Sequence, residues 1–224
     1  MQALLATLWQ SDSAFPSGGF AFSNGIEGAA ALAGSLDKET LGTVLAFTLR
    51  HRWATADRHA MLHAFHADDI ERLAIIDHTF ETATLPEPLR VGSRRNGMAF
   101  LTAHARLDTP GAQDLRAAIA GGQCLGHLPV VQGWIWRRCG LDQNAAVAAS
   151  AYTVTAAMVN AAVRLGLVGA IEAQRVLAGT FPLISDLAAM PFDLSADVAF
   201  PSATPWLDIA VTRHARSDLR LFSN

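Results

Sequence analysis

Residues 142–163 read DQNAAVAASAYTVTAAMVNAAV, and the fold turns on whether this stretch crosses a membrane or sits at the centre of a helical bundle. After Asp142 it carries no charge, and roughly 20 uncharged residues are enough to span a bilayer. Its composition argues for the bundle. Alanine predominates, with Ser150, Tyr152, Thr153, Thr155 and Asn160 interspersed, and small side chains let neighbouring helices approach a central one closely. Asp142 is a good N-cap, so the stretch reads as a buried helix of a soluble protein running to about Leu165, with no membrane involved.

Working outward, period-3.6 apolar spacing recurs and no convincing alternating or β-branched run appears, which predicts an all-α protein. Pro129 suits the first turn of a preceding helix and Gly140 its left-handed C-terminal cap. Nearer the N-terminus, Asp37 caps a helix with Leu36 and Leu41 placed as a hydrophobic staple. Its stripe is Leu41, Val44, Leu45, Thr48, Leu49 and Trp53. Asp68 and Glu71 form a capping-box pattern for a helix through Ile70, Leu73, Ile76 and Phe80, ended by Leu85-Pro86-Glu87-Pro88. Met98, Leu101 and Leu107 mark another, stopped at Asp108-Thr109-Pro110-Gly111; the next segment runs to about Gly126, and Ile171 to Leu177 form one more helix.

From Pro182 the pattern weakens, and Pro191, Pro201 and Pro205 break the remaining segment into irregular pieces. The expectation is one compact multi-helix domain over 1–224, with an irregular C-terminal tail from about 190 that a partner orders.

The 224 residues are 51% hydrophobic and 17% charged, which excludes disorder. Seventeen basic against 20 acidic residues give a net charge of −3, without the basic excess that a nucleic-acid partner requires. Lys38 is the only lysine, so arginines, suited to protein interfaces, carry nearly all the positive charge. The N-terminus lacks the basic start and apolar run of a secretory signal, so a cytoplasmic location is expected. Cys124 and Cys139 lack metal or redox spacing and read as buried thiols.

Three histidines, His59, His63 and His66, fall at i, i+4 and i+7 and share one helix face, with Asp57 and His51 as the next possible ligands. Such a face can bind a divalent metal, which keeps open a stand-alone helical metal-binding protein. The segment lacks the Glu of a zincin motif, so a solvated histidine face is the simpler reading and no metal site is assigned. Phe15-Pro16-Ser17-Gly18-Gly19-Phe20 lacks the Gly-Lys-Ser/Thr ending of a P-loop and reads as a turn that lets Phe15, Phe20 and Phe22 pack closely. No nucleophile elbow is present. Arg94-Arg95 and Arg137-Arg138 read as solvated helix faces or interface salt bridges. No catalytic residues are assigned, which favours a binding or scaffolding role.

Four stretches carry a family resemblance. Residues 14–27 hold Pro16, Gly18, Phe20, Ser23, Gly25 and Glu27 in register with the N-terminal Pro-x-Gly-x-Phe-x-x-Ser-x-Gly-Leu-Glu signature of the urease accessory protein UreF. Residues 90–97 resemble its Arg-x-x-Ser-x-x-x-Gly stretch. His127 to Gly133, then Asn160, Val163, Arg164, Leu165, Gly169 and Gln174, resemble its central helical region. Arg213-His214 and Arg220-Leu221-Phe222-Ser223 are similar to its Arg-His-Glu and Arg-Leu-Phe ending, with Ala215 in place of the Glu. Residues 38–85 carry little of the signature.

The resemblance implies a non-enzymatic, all-helical homodimer. It would bind the accessory protein UreD (also called UreH) and the GTPase UreG, in an assembly that delivers nickel to apo-urease. Nickel and GTP would be handled by the partner complex, leaving no cofactor tightly bound here, and UreG hydrolysis would be open to modulation. The resemblance places Glu27 and the Phe20 loop on the GTPase side, Arg220, Leu221 and Phe222 in a partner-binding tail, and His214 and Gln174 in the same polar network.

Overall fold

In a computed structural model, which describes residues 1–216 and 221–222, the capping signals resolve first. Asp37 Oδ1 accepts from the Thr40 amide at 2.8 Å and Asp142 Oδ1 from the Ala145 amide at 2.8 Å, as read from the sequence. The cap before Ile70 is Asp69 rather than Asp68. Its extended backbone brings Oδ1 to 2.7 Å from the Arg72 amide, while Asp68 lies 3.4 Å from Arg137.

The helices are α1 (Gln2–Ser11), α2 (Ile26–Ala33), α3 (Lys38–Thr48), α4 (Arg58–Phe65), α5 (Ile70–Ala83), α6 (Glu87–Arg106), α7 (Ala112–Ala120), α8 (Leu128–Arg138), α9 (Gln143–Arg164), α10 (Ala170–Gly179), α11 (Phe181–Ala188) and α12 (Pro205–His214). A 3₁₀ turn covers Gly19–Ala21, and the wider π form at Leu49–Asp57 joins α3 to α4 without a break. No strand occurs among the described residues. Helix α6 begins at Glu87, ahead of its first apolar marker Met98, because Pro88 lies within the opening turn, where its missing N–H breaks no helical bond.

Two apolar clusters form the interior. One gathers Trp53, Met61, Leu62, Phe80, Phe100 and Trp136; the other gathers Ile26, Leu36, Leu41, Leu45, Leu207 and Phe222. Helix α9 serves both, giving Ala146, Val147, Ala149 and Ala151 to the first and Met158, Val159, Ala161 and Ala162 to the second. It is long and apolar enough to cross a membrane, yet 56% of its most apolar window is buried in the protein, and Ser150 accepts a 3.0 Å bond from the Trp53 indole. These are the properties of a core helix. Glycine permits the closest crossing: at Gly133 of α8 a Cβ would fall 2.1 Å from the Met61 carbonyl oxygen of α4.

The region past 190 departs from the expected irregular tail. Residues 189–204 are irregular, but α12 comes after them, because Pro205 lies in the helix's first turn instead of breaking it. Helix α12 packs on α2, where a Cβ on Gly28 would lie 2.7 Å from the Ala210 carbonyl oxygen. The irregular strap is tied back to the bundle. Arg58 donates to the carbonyls of Ala188 and Met190, closing α11, and the Ala203 amide donates to the His51 carbonyl at 3.0 Å.

Helix α1 is tethered by one amide. Trp136 Nε1 can only donate, so it fixes Gln10 Oε1 as acceptor at 3.1 Å, and His104 Nε2 donates to the same oxygen at 3.1 Å. His104 Nδ1 then accepts from the Thr109 hydroxyl at 2.9 Å. Burial pushes the His104 and His63 imidazoles down to about 4. Between the ordinary value near 6.5 and about 4, the unfolded chain takes up protons that the folded one refuses. Stability present above the ordinary value is therefore lost as pH falls through this window. Thermal melts from pH 7 to 4.5 should show this decline, and His104→Gln should make it shallower; an unchanged slope would contradict it.

Candidate partner-binding site

Glu27 sits in the first turn of α2, where the helix dipole favours a carboxylate. It is buried, and its two oxygens are used by the far end of the chain. Oε1 accepts from the Leu221 amide at 2.7 Å and Oε2 from the Phe222 amide at 3.2 Å. His214, at the end of α12, places Nε2 3.0 Å from Oε2, off the line of a hydrogen bond. Hydrogen bonds to an ionised acceptor are stronger than neutral ones, so one carboxylate pins the tail backbone while Phe222 enters the second apolar cluster.

Arg164, in the last turn of α9, completes the arrangement. Its guanidinium lies 3.6 Å from the Phe20 ring centroid and 4.3 Å from that of Phe222, and it donates to the Phe20 carbonyl. The site thus faces outward with two apolar side chains, Phe20 at 73% and Leu221 at 74% exposure. Beside it runs a cleft of about 830 Å³ lined by Phe20, Arg164, Asn160 and Gln174, among others.

Five residues singled out in the sequence therefore meet in space: Phe20, Glu27, His214, Leu221 and Phe222. Gln174 stands apart from the Glu27 network, exposed on the cleft wall; Arg220 lies outside the described residues. The expected packing of the loop aromatics needs one correction. Phe15 and Phe22 are buried, but Phe20 points away from them and stacks on Arg164, because Gly18 turns the chain through φ +75° with no room for a Cβ against Ala99. Arg164 itself was not legible as a site residue. A lone arginine closing a helix carries no signal that it meets an aromatic ring 144 positions away.

The histidine face is not solvated. His63 is buried with its ring edge-on to Phe192 and Phe200 of the strap, His59 also meets Phe192, and His66 shares a 2.7 Å hydrogen bond with Gln143. His51 stacks near Phe47 and Asp57 lies 3.6 Å from Arg52. Among the described residues, no group of three or more His, Cys, Asp or Glu is placed to hold a metal ion. Of the arginine pairs, Arg94 meets Glu81 at 2.9 Å and Arg137 lies 3.4 Å from Asp68 in partly exposed ion pairs, Arg95 is exposed, and Arg138 stacks on Trp134. Burial raises the Cys124 and Cys139 thiols to about 11, far from the thiolate form that reacts.

The body is all-helical and leaves apolar side chains exposed around a pinned tail, the kind of surface that protein partners cover. The UreF family model matches residues 36–180, and relatives extend the likeness to both ends. A urease accessory protein UreF of Trichodesmium erythraeum is 28% identical over 224 residues, spanning 98% of this chain and 96% of its own. UreF 1 of Brucella melitensis is 31% identical over 231 aligned positions, spanning 100% and 94%. A Bradyrhizobium relative is 30% identical over 214, spanning 93% and 87%. The chain belongs to the UreF family; it is a non-catalytic accessory protein of urease maturation.

Proposed function

We propose that the chain is the central adaptor of a urease-activating complex in the cytoplasm. It would hold UreD (UreH) and the GTPase UreG together, while nickel and GTP are handled by those partners. The observation that carries this reading is the Glu27–tail junction, which presents Phe20 and Leu221 to solvent beside the outer face of α12. On that face Trp206 and Ile209 are exposed and Arg213 comes next at helical spacing. Aromatic and arginine side chains of this kind anchor protein interfaces. UreD is the partner assigned to the α12 and Leu221 side, UreG the partner assigned to the Phe20 loop and the adjoining cleft. Glu27 itself is occupied by the tail, so its influence on GTP hydrolysis would run through the position of the loop.

Helix α1 offers a separate surface. Leu4, Leu5 and Leu8 are all more than half exposed, and a second copy of the chain is the occupant we assign to them. Leu4→Asp combined with Leu8→Asp should give a monomer in analytical ultracentrifugation while the native helical signal persists. A dimer that survives both changes removes α1 from the interface.

The adaptor role is tested in cells carrying apo-urease, UreD, UreG and limiting nickel, with and without this chain. Urease activity should depend on it. Equal activity in its absence, with the chain shown to be folded, would overturn the adaptor role.

A further inference from the structure

We infer that the strap over His63 is an acid-released latch: it lies closed while that imidazole is neutral, and a proton on the ring lets residues 189–204 lift before the bundle unfolds. His63 is 4% exposed on α4. The strap covers it with Phe192, whose ring centroid is 5.0 Å away, and with Phe200 at 6.1 Å, both edge-on. Its Nδ1 is buried without a hydrogen-bond partner among the described residues. A neutral imidazole leaves that nitrogen as one unmet acceptor. A protonated imidazole makes it an N–H with no acceptor and adds a buried charge, which costs far more.

The charged groups that act on the ring repel a proton: Arg72 of α5, then His59 and His66 of α4. Arg58, at the start of α4, donates to the carbonyls of Ala188 and Met190, and Arg137 of α8 donates to the Phe65 carbonyl at 3.2 Å. Helix α9 carries no charge from Gln143 to Val163. Asp193, beside Phe192, is exposed and accepts from the Ser195 amide at 2.9 Å and its hydroxyl at 2.7 Å. The strap itself is lightly held. Between Phe192 and Phe200 every residue but Val198 is exposed, and the far end is tied by the Ala203 amide on the His51 carbonyl at 3.0 Å. Few buried apolar contacts make a segment that opens locally.

With the strap closed, burial holds the imidazole down to about 4. Lifted into water, it returns to the ordinary value near 6.5. The open form therefore binds a proton that the closed form refuses across this window, and opening grows by up to about tenfold for each pH unit of acidification. The strap leads directly into α12, so the surface assigned to UreD would be less firmly held in acid. That use rests on the proposed function; the latch is a property of the free chain.

Amide hydrogen exchange on the full chain at pH 7 and pH 5 reads the latch, each rate being divided by that of the same amide in an unfolded chain. Ala203 reports the strap and Val131 of α8 reports global opening. Ala203 should open more often than Val131 at both pH values, and about twentyfold more often at pH 5 than at pH 7. His63→Gln keeps a polar side chain that takes no proton, so most of that rise should vanish while Val131 stays protected. Phe192→Ala uncovers the ring, so Ala203 should already open more at pH 7 and respond less to acid.

Equal opening of Ala203 and Val131 would overturn the inference, because the strap would then move only with the whole bundle. So would a rise at Ala203 that survives His63→Gln in full. Neither result touches the adaptor role, which is read separately from urease activity in cells.

Discussion

Replacing Gly133 by alanine should destabilise the protein by about 4 kcal/mol, a large part of the roughly 5 to 15 kcal/mol that holds a typical domain together. The added Cβ would stand 2.1 Å from the Met61 carbonyl oxygen, 2.8 Å from the Phe65 nitrogen and 3.0 Å from Ala64 Cβ. Two of these are backbone atoms, so no side-chain rotation relieves the clash and α4 and α8 must move apart. Gly42 supplies the contrast. It lies inside α3, and a Cβ there meets nothing within 4 Å, so Gly42→Ala should stabilise by about 0.5 to 1 kcal/mol through helix propensity and a less free unfolded chain. Urea unfolding of both variants checks the pair. Similar midpoints for the two would mean that the crossing of α4 and α8 tolerates expansion.

The second large effect is expected at Leu221. Its side chain is exposed while its amide is held by Glu27, so Leu221→Asp leaves the donor in place and changes only the face presented to a partner. Assembly with UreD, measured by co-purification and by urease activity at limiting nickel, should fall tenfold or more, with the melting temperature within about 2 °C of the parent. A chain ending at Leu219 behaves differently, because it also loses the buried Phe222 ring. Burying such a ring is worth about 2 kcal/mol, partly offset by the freedom that the tail regains. The truncated chain should therefore lose both assembly and some stability. If Leu221→Asp assembles normally and the truncation fails, the tail acts through folding and the interface lies elsewhere.

Legibility in the sequence divides along physical lines. Caps and stripes are local, so Asp37, Asp142 and the run from Leu41 to Trp53 are legible, and the cap expected at Asp68 falls one residue short because Glu71 points the capping-box pattern at Asp68, while Asp69 caps with Arg72 at the third position. Pro205 misleads because the same residue breaks a helix in its interior and starts one in its first turn. The strap over His63 is invisible, since nothing near His59, His63 and His66 records that Phe192 and Phe200 return to cover them. At the candidate site the members come from a family signature, with Glu27 and Phe222 named separately. Their meeting depends on α12 folding back onto α2, which no local pattern encodes, and Arg164 joins them only in three dimensions.

The hydrogen bond from Phe222 to Glu27 closes over 195 positions of sequence, which ties the binding face to the timing of synthesis. During translation Glu27 emerges early, and the helices between can pack long before Phe222 leaves the ribosome. A chain halted before its final residues would hold a largely formed bundle with Glu27 and Arg164 still lacking their tail contacts. The tail contact of Glu27 can therefore form only after Phe222 is made, whatever the order in which the helices between them pack.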